Sequence, residues 1–363
     1  MNERVEFANQ LRAVAALSVL ISHYLGVFWY SPHLVSQLIF STPLSIPHIP
    51  KIIRIINHIP HFSFSAFGVS LFFMISGFVI PFSLKTSSNA LFALRRFLRI
   101  YPLYLIAFFF TAMILYICAK AHSIDFPYTA RQLFLHSFPG LRNFFSIPTI
   151  DGIVWTLEIE IKFYLLCLLF RKWLFDLRIL LLPCILFAIQ MMLRIFCTSY
   201  FHSNILIMEC HFLIYMFIGT TYYLAHKKII SLETWTLCFL SIFGLLTITV
   251  NYIPGVIWVP YLWSQGWALL CFFTAASFPR LVNFRILNFY ARISFPLYLI
   301  HGAPGYVFMT YLHHFQLHPI LNASLATAAA TLAAYALHLL FEKPLLALSK
   351  LAKNPNFDLT FTP

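Results

Sequence analysis

Charge is what this sequence has least of. Asp, Glu, Lys and Arg together make up 10% of its 363 residues, and only 11 residues are acidic. A soluble domain carries about 25% charged residues. With 61% hydrophobic residues and a mean hydropathy of +0.82, the chain reads as a polytopic membrane protein rather than a globular one with a large core. Other signals are missing too. No CxxC occurs, and the seven cysteines lie isolated in or beside apolar runs, so structural disulfides and zinc sites are not expected. There is no Walker loop and no GxSxG elbow. The N-terminus, MNERVEFANQ, lacks the basic start of a secretory signal, and no small-residue cleavage site follows the first apolar run. That run therefore reads as a retained span.

What is abundant is aromatic surface: 18% of residues, 41 of them Phe, which suits lipid-facing and interfacial positions. The net charge of +13 would suggest nucleic acid in a soluble protein. In a membrane protein the positive-inside rule accounts for it, and no nucleic-acid partner is expected. About ten apolar runs reach the roughly 20 residues that ~30 Å of hydrocarbon requires. They fall near 11–30, 62–84, 97–118, 150–170, 177–198, 205–225, 233–250, 256–276, 292–312 and 320–342. With the N-terminus in the cytoplasm, sixteen of the 24 Lys and Arg fall in inside segments and five outside, alternating loop by loop. The expected fold is an all-α integral membrane protein of about ten transmembrane helices, both termini cytoplasmic. Residues 1–345 form the transmembrane domain and 346–363 a short cytoplasmic tail. Two longer outside segments, 31–61 and 119–149, either shape an acceptor site or simply connect. Tyr and Trp in 251–262 (NYIPGVIWVPYL) suit an interfacial belt.

A charged group at the centre of a span costs ~2.5–3.5 kcal/mol, so ionisable residues there are functional candidates. The first span, LRAVAALSVLISHY, holds Arg12 and His23. Eleven residues at ~100° each return to within ~20° of the same helical face, ~16 Å further along the axis. One stripe thus carries a cation near the inner surface and a potential base past the midplane. The plainer alternatives are a snorkelling Arg12 and a packing His23. The fourth run, DGIVWTLEIEIKFYLL, places Glu158 and Glu160 at roughly the depth of His23. They point ~160° apart, so at most one can partner the imidazole. The other could pair structurally with Lys162 or Arg194. In ALRRFLRIYP, Arg96 and Arg99 share a helix side at the inner end of the third span, as a phosphate-bearing ligand would require. A simple positive flank is the alternative. His301 in SFPLYLIHG is either a polar cavity group or a core histidine. Glu342, before Lys343–Pro344, suits a structural ion pair. His33, His48, His58 and His61 share the first outer segment without tight metal-ligand spacing, and no metal site is expected.

Six stretches occur in order along nearly the whole chain: QLRAVAALSVLISHY, FGVSLFFMISGFVIPF (67–82), RRFLRIYP (95–102), WTLEIEIKFYLL (155–166), SFPLYLIH (294–301) and EKP (342–344). Together they resemble the acyltransferase-3 family of bacterial membrane acyltransferases, which O-acylate extracytoplasmic glycans and some other hydroxyl acceptors. The resemblance implies acyl-CoA, with acetyl-CoA expected, as a cytoplasmic co-substrate and no tightly bound cofactor. It implies a surface polysaccharide or lipid-linked glycan as acceptor, and the bacterial cytoplasmic (inner) membrane as location. Carried onto this chain, His23 is similar to the catalytic base, Glu160 to the family acid, and Arg12, Arg96 and Arg99 to donor-binding residues. Ser76, Tyr298 and His301 fall in matching stretches as further candidates. Two departures stand out. Asn9–Gln10 replaces the Asp-Gly common before the Leu-Arg, and Glu160–Ile161–Lys162 replaces a common Glu-Glu-Gln, so Glu158 can substitute for the second acid. No fused soluble domain is expected. The alternatives are an exporter of an anionic or acylated molecule, although no internal repeat is evident, and an inactive relative acting as an assembly partner.

Overall fold

The structure, a computed structural model, describes residues 3–351 apart from 47, 141, 146, 148, 197–200 and 251–257. The longer helices are α1 (Glu3–Ser22), α2 (Phe64–Lys85), α3 (Asn89–Ala121), α4 (Val154–Leu169), α5 (Leu181–Phe196), α6 (Phe201–His226), α7 (Leu232–Val250), α8 (Trp258–Ser277), α9 (Arg285–Ile300), α10 (Ala303–His314) and α11 (Pro319–Leu337). No strand occurs among the described residues. Seven stretches there are long and apolar enough to cross a membrane: 6–30, 64–85, 89–121, 177–196, 204–226, 232–250 and 319–347. The chain is an all-helical, multi-pass membrane protein.

Three of the ten expected runs are not among those seven, each for a visible reason. The run at 150–170 yields only the 16 residues of α4, about 24 Å of helix. The run at 256–276 becomes α8, which carries Ser264, Gln265 and Gly266 in its middle. The run at 292–312 is two helices, because the chain leaves helical geometry at Gly302 (ψ −112°) between α9 and α10. Most of the aromatic loop 251–262 lies outside the described residues. At the far end the chain stays helical through Lys343–Leu351, into the segment expected to be a tail; residues 352–363 lie outside the described ones. Glu342 does pair structurally, accepting from His338 Nδ1 at 2.6 Å.

The core is built around α1, which is flanked by α2 and α9. Small residues set these approaches, as they do where lipid offers no hydrophobic drive. A Cβ at Gly68 would meet the Ala15 carbonyl and the Val19 side chain of α1. Gly77 of α2 and Gly219 of α6 cross backbone to backbone, and Thr220 Oγ1 donates to the Gly77 carbonyl at 3.2 Å. Gly77→Val drives its side chain into the Met216 carbonyl. It should destabilise the protein by ~1–3 kcal/mol, as overpacking does, read as a lower unfolding temperature in detergent.

The segment between α3 and α4 folds back against α3. Its short helix Ala130–His136 buries His136 against Tyr104 of α3. The Tyr104 hydroxyl donates to the His136 carbonyl at 3.0 Å and meets Nδ1 at 3.1 Å, while the Ile150 amide donates to Nε2 at 3.1 Å. Nε2 must therefore be a lone pair, and the ring is held neutral. Burial, with Arg142 nearby, pushes its pKa down to about 3. Above the ordinary pKa of 6.5 neither folded nor unfolded chain protonates this ring. As pH falls from there toward about 3, the unfolded chain takes a proton that the folded one refuses, so stability drops. Unfolding temperature should decline with acidification over that window, and His136→Gln should flatten the decline.

Candidate active site

Most of the sequence-predicted residues converge on two linked places along α1. The first is a cavity of about 820 Å³, its open mouth included, where α1, α2, α3, α4 and α9 meet. Arg12, Arg99, Glu160, Ser76 and Tyr298 all line it. The second is a pair of histidines one helix break further on, His23 and His301.

At the first place, Arg12 Nη1 donates to Asn9 Oδ1 at 3.0 Å. Asn9 stands where an acid would stand in the common family pattern, so the cation has no carboxylate at that position beside it. Its opposite charge is Glu160, across the cavity. Glu160 is held by two donors on Oε1: Ser76 Oγ at 2.9 Å and the Tyr164 hydroxyl. Gln10, the other departure, is buried and ties α1 to the start of α9 by donating to Asn283 and Asn288 at 3.1 and 3.0 Å. The cavity therefore offers two guanidinium groups and one fixed carboxylate among apolar and aromatic walls. That donor set can bind phosphate and still position a polar organic chain.

Arg96 does not itself line this cavity, but it lies within electrostatic reach of Arg12, Arg99 and Glu160. Its guanidinium carbon lies 5.2 Å from the Phe92 ring centroid and 5.3 Å from that of Tyr164. It lines a separate groove between α3 and α4, with Tyr164 and Ile100 as the shared wall.

The second place begins where α1 stops being an α-helix. Residues His23–Val27 form a π turn, a feature that gathers at functional sites. His23 Nδ1 lies 2.5 Å from the Tyr306 hydroxyl. Its ring meets His301 edge-on, with centroids 4.8 Å apart and an interplanar angle of 84°. His301 is buried, and its Nδ1 faces the Tyr298 carbonyl at 2.8 Å and the Leu297 carbonyl at 3.3 Å. Nδ1 therefore carries the proton, and Nε2 is a lone pair with no hydrogen-bond partner among the described residues. Tyr298 joins the two places. Its hydroxyl bonds Thr156 Oγ1 at 2.5 Å, and its ring centroid is 5.5 Å from that of His301.

Both Arg12 and His23 face the α9–α10 element, as their eleven-residue spacing required. The carboxylates differ from expectation, since neither Glu158 nor Glu160 hydrogen-bonds His23. Because α4 starts only at Val154, after the folded-back segment, Glu160 reaches the Arg12 cavity instead. Glu158, turned the other way and fully buried, accepts from Arg142 through both oxygens, at 3.1 Å from Nε and 2.7 Å from Nη2. Lys162 pairs with Glu209, not with either glutamate of its own helix. Of the outer-segment histidines, His58 packs on Tyr30 and His61 on Trp263.

Tyr306 escaped the sequence reading. Five residues beyond His301, it would point away from it on an unbroken helix; the Gly302 break brings it round to His23. Gly302 itself abuts the Asp151 carbonyl, where a Cβ would sit at 3.2 Å. Gly152, at φ +73°, makes the turn into α4, and Asp151 Oδ1 accepts from the Ile153 and Val154 amides at 3.1 Å.

A family model described as an acyltransferase domain, that of the acyltransferase-3 family, matches residues 5–339, which include every residue of both places. Among curated proteins, Nodulation protein 10 of Rhizobium leguminosarum bv. viciae is 30% identical over a segment covering 30% of this chain. The match spans 35% of that relative's own length. No solved structure matches the chain.

Proposed function

On the premise that this chain belongs to the acyltransferase-3 family, and is thus a membrane acyltransferase of non-aminoacyl groups, we propose that it O-acetylates an extracytoplasmic glycan or glycolipid from cytoplasmic acetyl-CoA. One observation carries the reading: a phosphate-suited cavity with Arg12 and a paired-histidine site with His23 lie on one face of one helix, ~16 Å apart. Arg12 and Arg99 bind the phosphates of CoA, and the pantetheine arm extends toward His23 past Tyr298. Glu160 balances the two cations and holds the floor of the cavity.

An acceptor hydroxyl is a weak nucleophile. His23 takes its proton through Nε2 as the oxygen attacks the thioester carbonyl, the C–S bond breaks, and CoA leaves as the thiolate, which recovers that proton. For this, His23 Nδ1 must hold its own proton and donate it to the Tyr306 hydroxyl, so Tyr306 sets the working tautomer. The acceptor comes from the opposite side of the bilayer. The enzyme sits in the bacterial inner membrane, with the basic loops toward the donor.

The break between α9 and α10 is the one feature that favours a transporter, since transporters place broken helices at mid-membrane sites. Purified protein given acetyl-CoA radiolabelled in the acetyl group separates the two. A transferase consumes the thioester when a hydroxyl acceptor is present, whereas an exporter leaves it intact.

A further inference from the structure

The π turn that follows α1 is tied from outside its own helix. The Phe28 amide reaches back five residues to the His23 carbonyl, so it does not serve the Tyr24 carbonyl as it would in an α-helix. The Trp29 indole serves it instead, donating from Nε1 at 2.9 Å. The next carbonyl, that of Leu25, accepts from Asn57 Nδ2 at 2.6 Å. Asn57 is the last residue of the short helix Lys51–Asn57, within the segment 31–61. One turn earlier Ile53 anchors that helix: its side chain is fully buried, and its carbonyl accepts from Asn57 Nδ2 at 2.8 Å. With two carbonyls facing its nitrogen, the Asn57 amide can lie only one way round. Its oxygen then rests over Gly26, where a Cβ would sit 2.7 Å away. A glycine at 26 is what lets Asn57 come so close.

We propose that Asn57 is a positioning residue for His23: by holding the Leu25 carbonyl it keeps the chain in the π turn that sets the His23 ring against Tyr306 and His301. A π turn is rare, and it persists where its surroundings hold it. His23 opens this one, and its carbonyl is the one the turn closes on. Without the Asn57 donor the turn rewinds, and the ring leaves the Tyr306 hydroxyl that fixes its tautomer. The segment 31–61 is then part of the catalytic apparatus and not a simple connector. The effect on rate rests on the reading of His23 as the base; the effect on the ring does not.

Two readouts on the full chain test this. The first is NMR of protein carrying isotope-labelled histidine nitrogens, with the His23 signals identified as those that His23→Gln removes. A ring held on Tyr306 keeps one tautomer and shows well-separated protonated and unprotonated nitrogens. Asn57→Ala should draw the two signals together as the tautomers exchange. The second readout is acetyl transfer. Asn57→Ala should lower kcat roughly 10–10²-fold, the upper end being the cost of a 1 Å misplacement, and leave the KM for acetyl-CoA unchanged. Asn57→Asp keeps the shape but loses the donor, so it should resemble Asn57→Ala; packing alone would leave it at the unaltered rate. Gly26→Ala pushes the amide away and should lower kcat likewise, yet cost little more when added to Asn57→Ala, because the two act through one contact. His23 signals unmoved by both Asn57 variants overturn the proposal, as do an undiminished kcat in Asn57→Ala and losses that simply add in the double variant. If the unaltered protein transfers no acetyl group, the transferase reading fails, and the ring signals alone still decide the role of Asn57.

Discussion

Replacing His23 with Ala should slow acyl transfer roughly 10²–10⁴-fold, the contribution of a positioned general base, while the protein still folds in the membrane. The KM for acyl-CoA should change little, because Arg12 and Arg99 lie ~16 Å away in the donor cavity. Tyr306→Phe offers a graded control. It keeps the ring beside His23 but removes the hydroxyl that meets Nδ1 at 2.5 Å, so kcat should fall less than in His23→Ala. A His23→Ala protein with the full transfer rate would remove His23 from the chemistry and shift the proton to His301, whose Nε2 is the neighbouring free lone pair.

Arg142→Met should cost ~3–5 kcal/mol of stability, since it leaves the Glu158 carboxylate charged, fully buried and unpaired. The pair joins the folded-back segment to α4 through two hydrogen bonds, and within that segment Arg142 Nη1 donates to the Ile147 carbonyl at 3.1 Å. Removing both charges together, as in Arg142→Met with Glu158→Gln, should restore most of the loss, because no buried charge remains. Unfolding temperature in detergent reads both variants. Since α4 also carries Glu160 two residues on, the single variant should lose transfer activity along with stability, and the double variant should regain much of both. If Arg142→Met melts like the unaltered protein, the pair is not what holds α4.

The α1 stripe was legible because helical periodicity alone puts residues eleven apart on one side, whatever surrounds them. Long apolar runs such as 64–85 and 232–250 were legible for the same kind of reason. What failed was anything set by a local break. The run at 150–170 reads as a span, yet its first four residues are the turn through Asp151 and Gly152, and this moved both glutamates away from His23. A glycine at 302 in an apolar run gives no warning that the helix stops there, so Tyr306 was invisible as the partner of His23. Arg96 and Arg99, three residues apart, share a helix side but not a cavity. Tyr164 reaches between them from a helix more than sixty residues further along, and no local pattern signals that wall. The partner of Glu158 lies sixteen positions upstream in what reads as a connecting loop.

Sidedness tests the central claim most directly. The protein is reconstituted with one orientation in sealed vesicles, with labelled acetyl-CoA on the side of the basic loops and a glycan acceptor on the other. Label should reach the acceptor across the intact bilayer, and Arg12→Gln, by weakening donor binding, should raise the acetyl-CoA concentration needed. Transfer only when donor and acceptor share one side would contradict a path along α1 from Arg12 to His23.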